Sequence, residues 1–189
     1  ALVQPGQTIT VPALRDGVYG YLAVAGGFDV APVLGSLSTH RRSEIFAASL
    51  SVGVSLDVAE SQWRSDITPL RIPMIPRHTI GPIRIIAGPQ DDWFDADALA
   101  RLTSADWQVG VRSDRMGVFL DGPRIDALPG SMVSDGVLPG SIQLPPLGAP
   151  IVLMRDCQTT GGYPKIATVI SADLDRLSQY RVGQLLQFE

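Results

Sequence analysis

With 189 residues and 45% hydrophobic content, the chain is long enough to bury a core without metals or disulfide staples. Its net charge of −4 and pI near 5.1 argue against a binder of phosphate backbones, which needs clustered Lys and Arg, so nucleic acid is not an expected partner. The single cysteine, Cys157, excludes an internal disulfide and fits a reducing cytoplasm, while no apolar run approaches the ~20 residues that cross a bilayer.

Most of the periodic signal is short, alternating or continuously apolar, and bounded by Gly, Pro, Asp and Ser, which is the pattern of strands and turns. The chain starts at Ala1 without an initiator Met and runs straight into the first of these segments, which suggests a fragment or an incompletely ordered product. In chain order, strands are expected at Thr8 to Val11, Tyr19 to Ala25, Val52 to Val58 and Ile83 to Ala87. Further strands follow at Trp107 to Val111, Val118 to Leu120, Ile142 to Leu144, Pro150 to Arg155, Ala167 to Ser171 and Gln184 to Phe188. So many short strands predict a mainly β barrel or sandwich. Two helices are expected on it. In Asp91 to Thr103, Phe94, Leu99 and Leu102 recur at helical spacing behind an acidic first turn. The shorter Asp173 to Tyr180 has Asp173 as a candidate N-cap. The proline-dense stretch Thr68 to Arg77 reads as a linker, because each proline removes a backbone donor. Leu128 to Gly148, rich in Pro and Gly, reads as turns joining short strands. The expected division is residues 1–75, the C-terminal part of a first β unit, and 76–189, a second β unit.

Several chemistries need residues that this chain lacks or scatters. There is no GxxxxGK[ST] phosphate loop, no complete dinucleotide fingerprint around Ala25-Gly-Gly-Phe-Asp29, and no GxSxG elbow. With His40 and His78 far apart and without neighbouring ligands, no metal site is expected. Cys157 lies beside Asp156, which raises a thiol pKa, so it reads as a small core residue at a strand end rather than a nucleophile. His40 reads as a surface histidine, the alternative being an anion contact shared with Arg41 and Arg42. Leu34 to Thr39 is a hydroxyl-rich segment whose backbone amides can meet a carboxylate or carbonyl. Ser113-Asp-Arg-Met-Gly117 sets Asp114 and Arg115 side by side between two strands, as either a structural ion pair or part of a cleft.

The strongest signal is Asp156 to Lys165, DCQTTGGYPK. Gln158, Thr159 and Thr160 lead into Gly161 and Gly162, which let a ligand approach main-chain amides, then Tyr163, Pro164 and the only lysine of the chain. Such a loop can hold a planar amide or carboxylate and stabilise a developing oxyanion; the alternative is a rigid hairpin with a solvated lysine.

Together with Tyr21 to Val30, Leu34 to Thr39, Ser113 to Gly117, Ser134-Asp-Gly136 and Pro139 to Pro146, this loop resembles the family of the 5-oxoprolinase C subunit, also called allophanate hydrolase subunit 2. The family is related to the carboxyltransferase region of urea carboxylase and to a bacterial kinase-inhibitor antagonist. The resemblance runs over essentially the entire chain and implies cyclophilin-like β-barrel units with a few short helices. It departs at Leu37, where the family usually has arginine, and in an N-terminal family region that the chain is expected to lack.

What the resemblance implies is a subunit of a hydrolase complex that cleaves 5-oxoproline to glutamate with ATP, the ATP lying at a partner or shared interface. Its implied partners are a smaller homologous subunit of the allophanate hydrolase subunit 1 type and a third subunit. Lys165, Arg115 and Asp114 are the catalytic candidates, with Asp114 orienting Arg115. Gln158, Thr159, Thr160, Gly161, Gly162, Tyr163 and Gln143 are the substrate-binding ones. Two alternatives stay open: biotin-linked carboxyl transfer to urea or another amide, and non-enzymatic binding of a histidine-kinase inhibitor.

Overall fold

Alternating apolar residues form a sheet only where neighbouring segments can pair with them, and the two parts of this chain differ in that respect. The computed structural model describes residues 3–14, 17–40, 50–60 and 81–189. It divides into two compact units, Ala1–Val11 with Gly20–Met74 and Pro12–Tyr19 with Ile75–Glu189. The expected linker, Thr68 to Arg77, lies outside the described residues.

In the first unit, the strands expected at Thr8 to Val11, Tyr19 to Ala25 and Val52 to Val58 do not form ladders among the described residues. The segments carry isolated contacts instead: Phe28 bridges Val58, and the Asp29 amide donates to the Asp57 carbonyl at 2.9 Å. Side chains of the expected strands, Tyr21, Leu22 and Val52 among them, are exposed, so alternation here marks no buried face. Gly26 meets a close approach, since a Cβ there would fall 2.3 Å from the Ala59 carbonyl oxygen.

Among its described residues the second unit holds nine short strands: β1 Ile85–Ala87, β2 Trp107–Val109, β3 Gly117–Asp121, β4 Asp135–Gly136, β5 Ser141–Gln143, β6 Ile151–Leu153, β7 Thr160–Gly161, β8 Lys165–Val169 and β9 Leu185–Leu186. Seven of them make one antiparallel sheet in the order β1-β8-β5-β6-β3-β2-β9, and β4 pairs with β7. The sheet curls until its edges meet. Ile83 bridges Phe188 in parallel, and the Ile83 and Ile85 amides donate to the Gln187 and Glu189 carbonyls at 2.7 and 2.8 Å. Joining the edges removes unpaired strand backbone. The fold is mainly β, as expected, and all seven strands foreseen from Ile83 onward have counterparts within a few residues.

Inside, Ile83, Trp107, Leu120, Ile142, Val152 and Ile166 are essentially inaccessible and belong to one apolar cluster. Trp107 also satisfies its indole N–H, which donates to the Leu102 carbonyl at 2.8 Å. That bond ties the core to α1, Ala98–Ser104. The continuous helix expected over Asp91 to Thr103 is broken. A 3-10 turn covers Asp91–Trp93, Phe94 turns extended and bridges Ala127, and α1 begins only at Ala98. The cause is local: the Asp95 carboxylate accepts the Asp97 amide at 3.1 Å, and its carbonyl accepts the Ala98 amide at 3.0 Å.

The second helix, α2 Ser171–Leu177, also differs from expectation, because Ile170 occupies the N-cap and Asp173 lies inside the helix. Asp173 is buried and accepts from the Arg84 amide (2.8 Å), Arg84 Nε (3.1 Å), Arg84 Nη2 (2.8 Å) and Arg176 Nη2 (2.9 Å). This tertiary demand excludes an N-cap role. Residues after α2 pin the Pro12–Tyr19 segment to the same unit: the Val18 amide donates to Gln179 Oε1 at 2.8 Å, and Arg181 Nε donates to the Gly17 carbonyl at 3.0 Å.

Candidate functional site

The site is built where β8 leaves the DCQTTGGYPK loop. Along the β5–β8 ladder, Ser141 faces Thr168 and Ile142 faces Ala167, but Gln143 faces Lys165. Ile166 is thus an extra residue, a β-bulge that brings Lys165 opposite Gln143. Directly opposed residues of an antiparallel pair lie on the same face. Both side chains are buried, Gln143 at 2% and Lys165 at 3% exposure. A solvated lysine at the end of a rigid hairpin is therefore excluded.

An ammonium so enclosed needs a counter-charge. Asp135 supplies it from β4, with Lys165 Nζ donating to Asp135 Oδ2 at 3.0 Å. The carboxylate itself is 55% exposed. The hydrogen bond from Lys165 holds the Asp135 carboxyl below the usual carboxylate range, and the Gly136 amide, donating to Oδ1 at 2.7 Å, adds to the effect. Gln90 completes the cluster. Its Nε2 donates to Asp135 Oδ2 at 3.3 Å, and its Oε1 accepts the Lys165 backbone amide at 3.2 Å. Among the described residues, Asp135 is the hydrogen-bond partner of the ammonium, which leaves two of three donors for a ligand.

The rest of the loop forms the roof of this cluster. β4 and β7 pair Asp135 with Gly161 and Gly136 with Thr160, and the Val137 amide donates to the Thr159 carbonyl at 3.0 Å. Gly161 is needed for close approach, since a Cβ there would sit 2.7 Å from Gln143 Nε2 and 3.4 Å from Gln158 Nε2. Gly162 packs toward Ser134, while Gln158, Thr159, Thr160 and Tyr163 are exposed. The Tyr163 carbonyl accepts from Gln143 Nε2 at 3.4 Å. The structure thus gathers Lys165, Gln143, Gln158, Thr160 and Gly161 in one place.

Arg115 and Asp114 are arranged otherwise. Arg115 grips Asp156, the first residue of the loop, with Nε at 2.9 Å from Oδ2 and Nη2 at 2.9 Å from Oδ1. This two-pronged pairing anchors the start of the loop. Asp114 does not orient it. Asp114 Oδ1 accepts the Met116 and Gly117 amides at 2.8 and 3.2 Å, closing a turn ahead of β3. Arg115 and Lys165 thus belong to separate ion pairs, with Asp156 and Asp135 respectively. Cys157 is half-buried in the turn after β6 rather than in the core, and burial, with the Asp156 charge adding, pushes its thiol up. In Leu34 to Thr39, Val33 and Ser36 exchange backbone bonds across Leu34 and Gly35, and the Ser38 amide goes to Ser36 Oγ at 3.1 Å. The Ser36 and Ser38 amides of that segment are therefore already used. His40 and Leu37 belong to the first unit, His40 half-buried and Leu37 exposed.

Asp135 and Gln90 carry the ammonium's environment without having been singled out by residue pattern. Asp135 had a trace in the sequence, since Ser134-Asp-Gly136 is one of the motifs shared with the resembled family. Gln90 had none.

The amino-acid sequence is matched over residues 1–189 by the family model for the carboxyltransferase domain, subdomains A and B. The chain belongs to that family. It is 38% identical over 192 residues to the C subunit of 5-oxoprolinase from Haemophilus influenzae, covering 99% of this chain and 60% of that protein. Urea amidolyase of Saccharomyces cerevisiae is 27% identical over 207 residues, with 98% of this chain and 11% of that protein covered. Among solved structures, that of TTHA0988 superposes with a TM-score of 0.76 at 36% identity, covering 93% of this chain and 34% of that one. The chain spans 60% of the length of the Haemophilus influenzae protein.

Proposed function

We propose that the chain is part of a subunit of a hydrolase complex that opens 5-oxoproline to glutamate, with Lys165 as the group that meets the substrate oxygen. The 38% identity to a 5-oxoprolinase C subunit over 99% of this chain carries the substrate class. The cluster supports it chemically. A planar lactam offers a carbonyl oxygen, an N–H and a carboxylate; the Lys165 ammonium suits an oxygen that gains charge, and the Gln143 and Gln158 carboxamides can donate or accept. Gly161 lets Gln143 and Gln158 close in on the loop, and Tyr163 offers a ring face and hydroxyl at the rim.

ATP does not fit this cluster. A triphosphate calls for several open donors, whereas the one ammonium here is bridged to the Asp135 carboxylate, whose charge repels phosphate. We place ATP at a partner or shared interface, the enzyme being completed by a smaller homologous subunit and a third one. No helix among the described residues is long and apolar enough to cross a membrane, and a cytoplasmic complex is the setting proposed.

Lys165→Ala in the assembled complex is expected to lower ATP-dependent glutamate formation by about 100-fold or more, the usual effect of deleting an oxyanion donor. Unchanged turnover would sink the lysine's role. The family match and the urea amidolyase likeness favour a second reading, transfer of a carboxyl group from biotin to urea or another amide. Biotin's ureido ring is a planar amide that Lys165 and Gln143 would hold. Carboxyl transfer from carboxybiotin by the complex, without glutamate release from 5-oxoproline, would select it.

A further inference from the structure

We propose that Gln90 is a positioning residue for the Lys165 ammonium, acting through Asp135. This rests on Lys165 being the reacting cation of the proposed site, and it concerns what holds that cation in place.

Gln90 precedes the 3-10 turn Asp91–Trp93 at its N-cap position, yet its side chain makes no capping bond there. The carboxamide points across to β8 instead, where its two ends act on two different groups. Oε1 takes the Lys165 backbone amide at 3.2 Å, and Nε2 donates to Asp135 Oδ2 at 3.3 Å. The Gln90 amide adds a third tie, to the Lys165 carbonyl at 3.4 Å. One side chain therefore spans the backbone that carries the lysine and the carboxylate that neutralises it.

That span depends on Gly88. The Gly88 amide donates to the Ile166 carbonyl at 2.9 Å, and a Cβ at residue 88 would lie 2.1 Å from the Lys165 carbonyl oxygen. Only a glycine lets the segment lie flat enough on β8 to bring Gln90 within reach. Asp135 needs such a hold because it sits on a two-residue strand and is 55% exposed. Without Gln90, Oδ2 loses one of its two donors and the carboxylate is held only by Lys165 Nζ and by the Gly136 amide on Oδ1. The hydrogen bond from Gln90 also contributes to the lowered Asp135 carboxyl pKa.

With ε-carbon labelling of lysine, the Lys165 resonance is assigned by its loss in Lys165→Arg. Its chemical shift, followed from pH 7 downward, reports protonation of the bonded Asp135. Gln90→Met, similar in length without donor or acceptor, is expected to move that midpoint upward, toward the ordinary carboxylate range. Gln90→Asn keeps a carboxamide but is one methylene too short to span both groups, and is expected to move it the same way. In the complex, either variant should lower kcat roughly tenfold with little change in KM, as misplacement of a reacting group does. An unchanged midpoint together with unchanged kcat in the folded variants overturns the proposal, and so does loss of the fold in both, which would make Gln90 a structural residue. The resonance is read without substrate, so an altered midpoint beside absent oxoprolinase activity would reject the proposed reaction while keeping the role of Gln90.

Discussion

Two carboxylate–cation groups in the second unit are built the opposite way round. At Asp173 the anion is buried, at 5% exposure, and is approached by Arg84, at 53%, and Arg176, at 12%. At Lys165 the cation is buried, at 3%, and the anion, Asp135, is 55% exposed. The first anion accepts four hydrogen bonds and is buried beneath its donors, out of reach of a ligand. The second cation gives one of its three donors to the described residues. A closed group of this kind serves the fold by joining α2 to the segment before β1, whereas an open one is fit for binding.

The largest expected effect lies on the closed side. Asp173→Ala leaves two guanidinium groups facing each other, one of them largely buried, and removes the acceptor of the Arg84 amide. Breaking a buried pair from one side costs about 3 kcal/mol or more. Arg176 has little slack to adapt: its Nη2 and Nη1 already donate to the Pro82 and Gly81 carbonyls, and its Nε is buried without a partner among the described residues. Urea unfolding of the variant should show that loss. A loss well under 1 kcal/mol would show that the group is ornamental.

Acid separates the two groups next. The Asp173 carboxyl is held at about 2, from an ordinary 3.8, chiefly by the Arg84 side chain donating to it, with the Arg84 amide and the Arg176 charge adding. A carboxyl lowered in the folded state stabilises fully above its unfolded value and loses that contribution as pH falls through the folded one. Stability should therefore fall by roughly 2 kcal/mol between about pH 4 and pH 2. Asp173→Asn should flatten this part of the pH profile. An equally steep profile in that variant would move the acid sensitivity to other carboxylates.

Gly88→Ala tests the open side through the backbone. A methyl group aimed at the Lys165 carbonyl must push β1 and β8 apart at their ends, with an expected cost of about 2 kcal/mol. The stronger expectation is functional, since the lysine should lose its register against Gln143 and activity should fall more than stability predicts.

The open group explains which part of the site the sequence made legible. Lys165 stood out because no other lysine competes with it, and the adjoining glycines announced close approach. Its counter-charge lies 30 positions away on a strand of two residues, too short to carry a period-two signal. The pairing of β4 with β7 was hidden for the same reason. In contrast, β2, β3, β5, β6 and β8 could be read because buried residues such as Val109, Leu120, Ile142, Val152 and Val169 sit among turn-forming residues. Similar patterns in the first unit misled because Tyr21, Leu22 and Val52 are exposed. Asp114 shows a further limit: adjacency to Arg115 suggested an ion pair or a shared place in a cleft, but a short carboxylate two and three residues ahead of free amides closes a turn instead.

The smallest change in stability is expected from Asp135→Asn, and it is the most direct contrast with Asp173→Asn. The amide keeps an oxygen for Lys165 Nζ and its NH2 can turn to solvent, whereas Asp173→Asn sets an NH2 against two guanidinium groups at a buried position, so thermal unfolding should shift less than for Asp173→Asn. Activity should respond in the reverse order. Losing the Asp135 charge removes the partner that fixes the ammonium in the proposed site, while Asp173 has no contact with it. Turnover of the assembled complex should thus fall more for Asp135→Asn even as the protein stays folded. If instead both variants lose stability and activity in equal proportion, the open group is only a second structural tie, and the exposure of its carboxylate has no functional meaning.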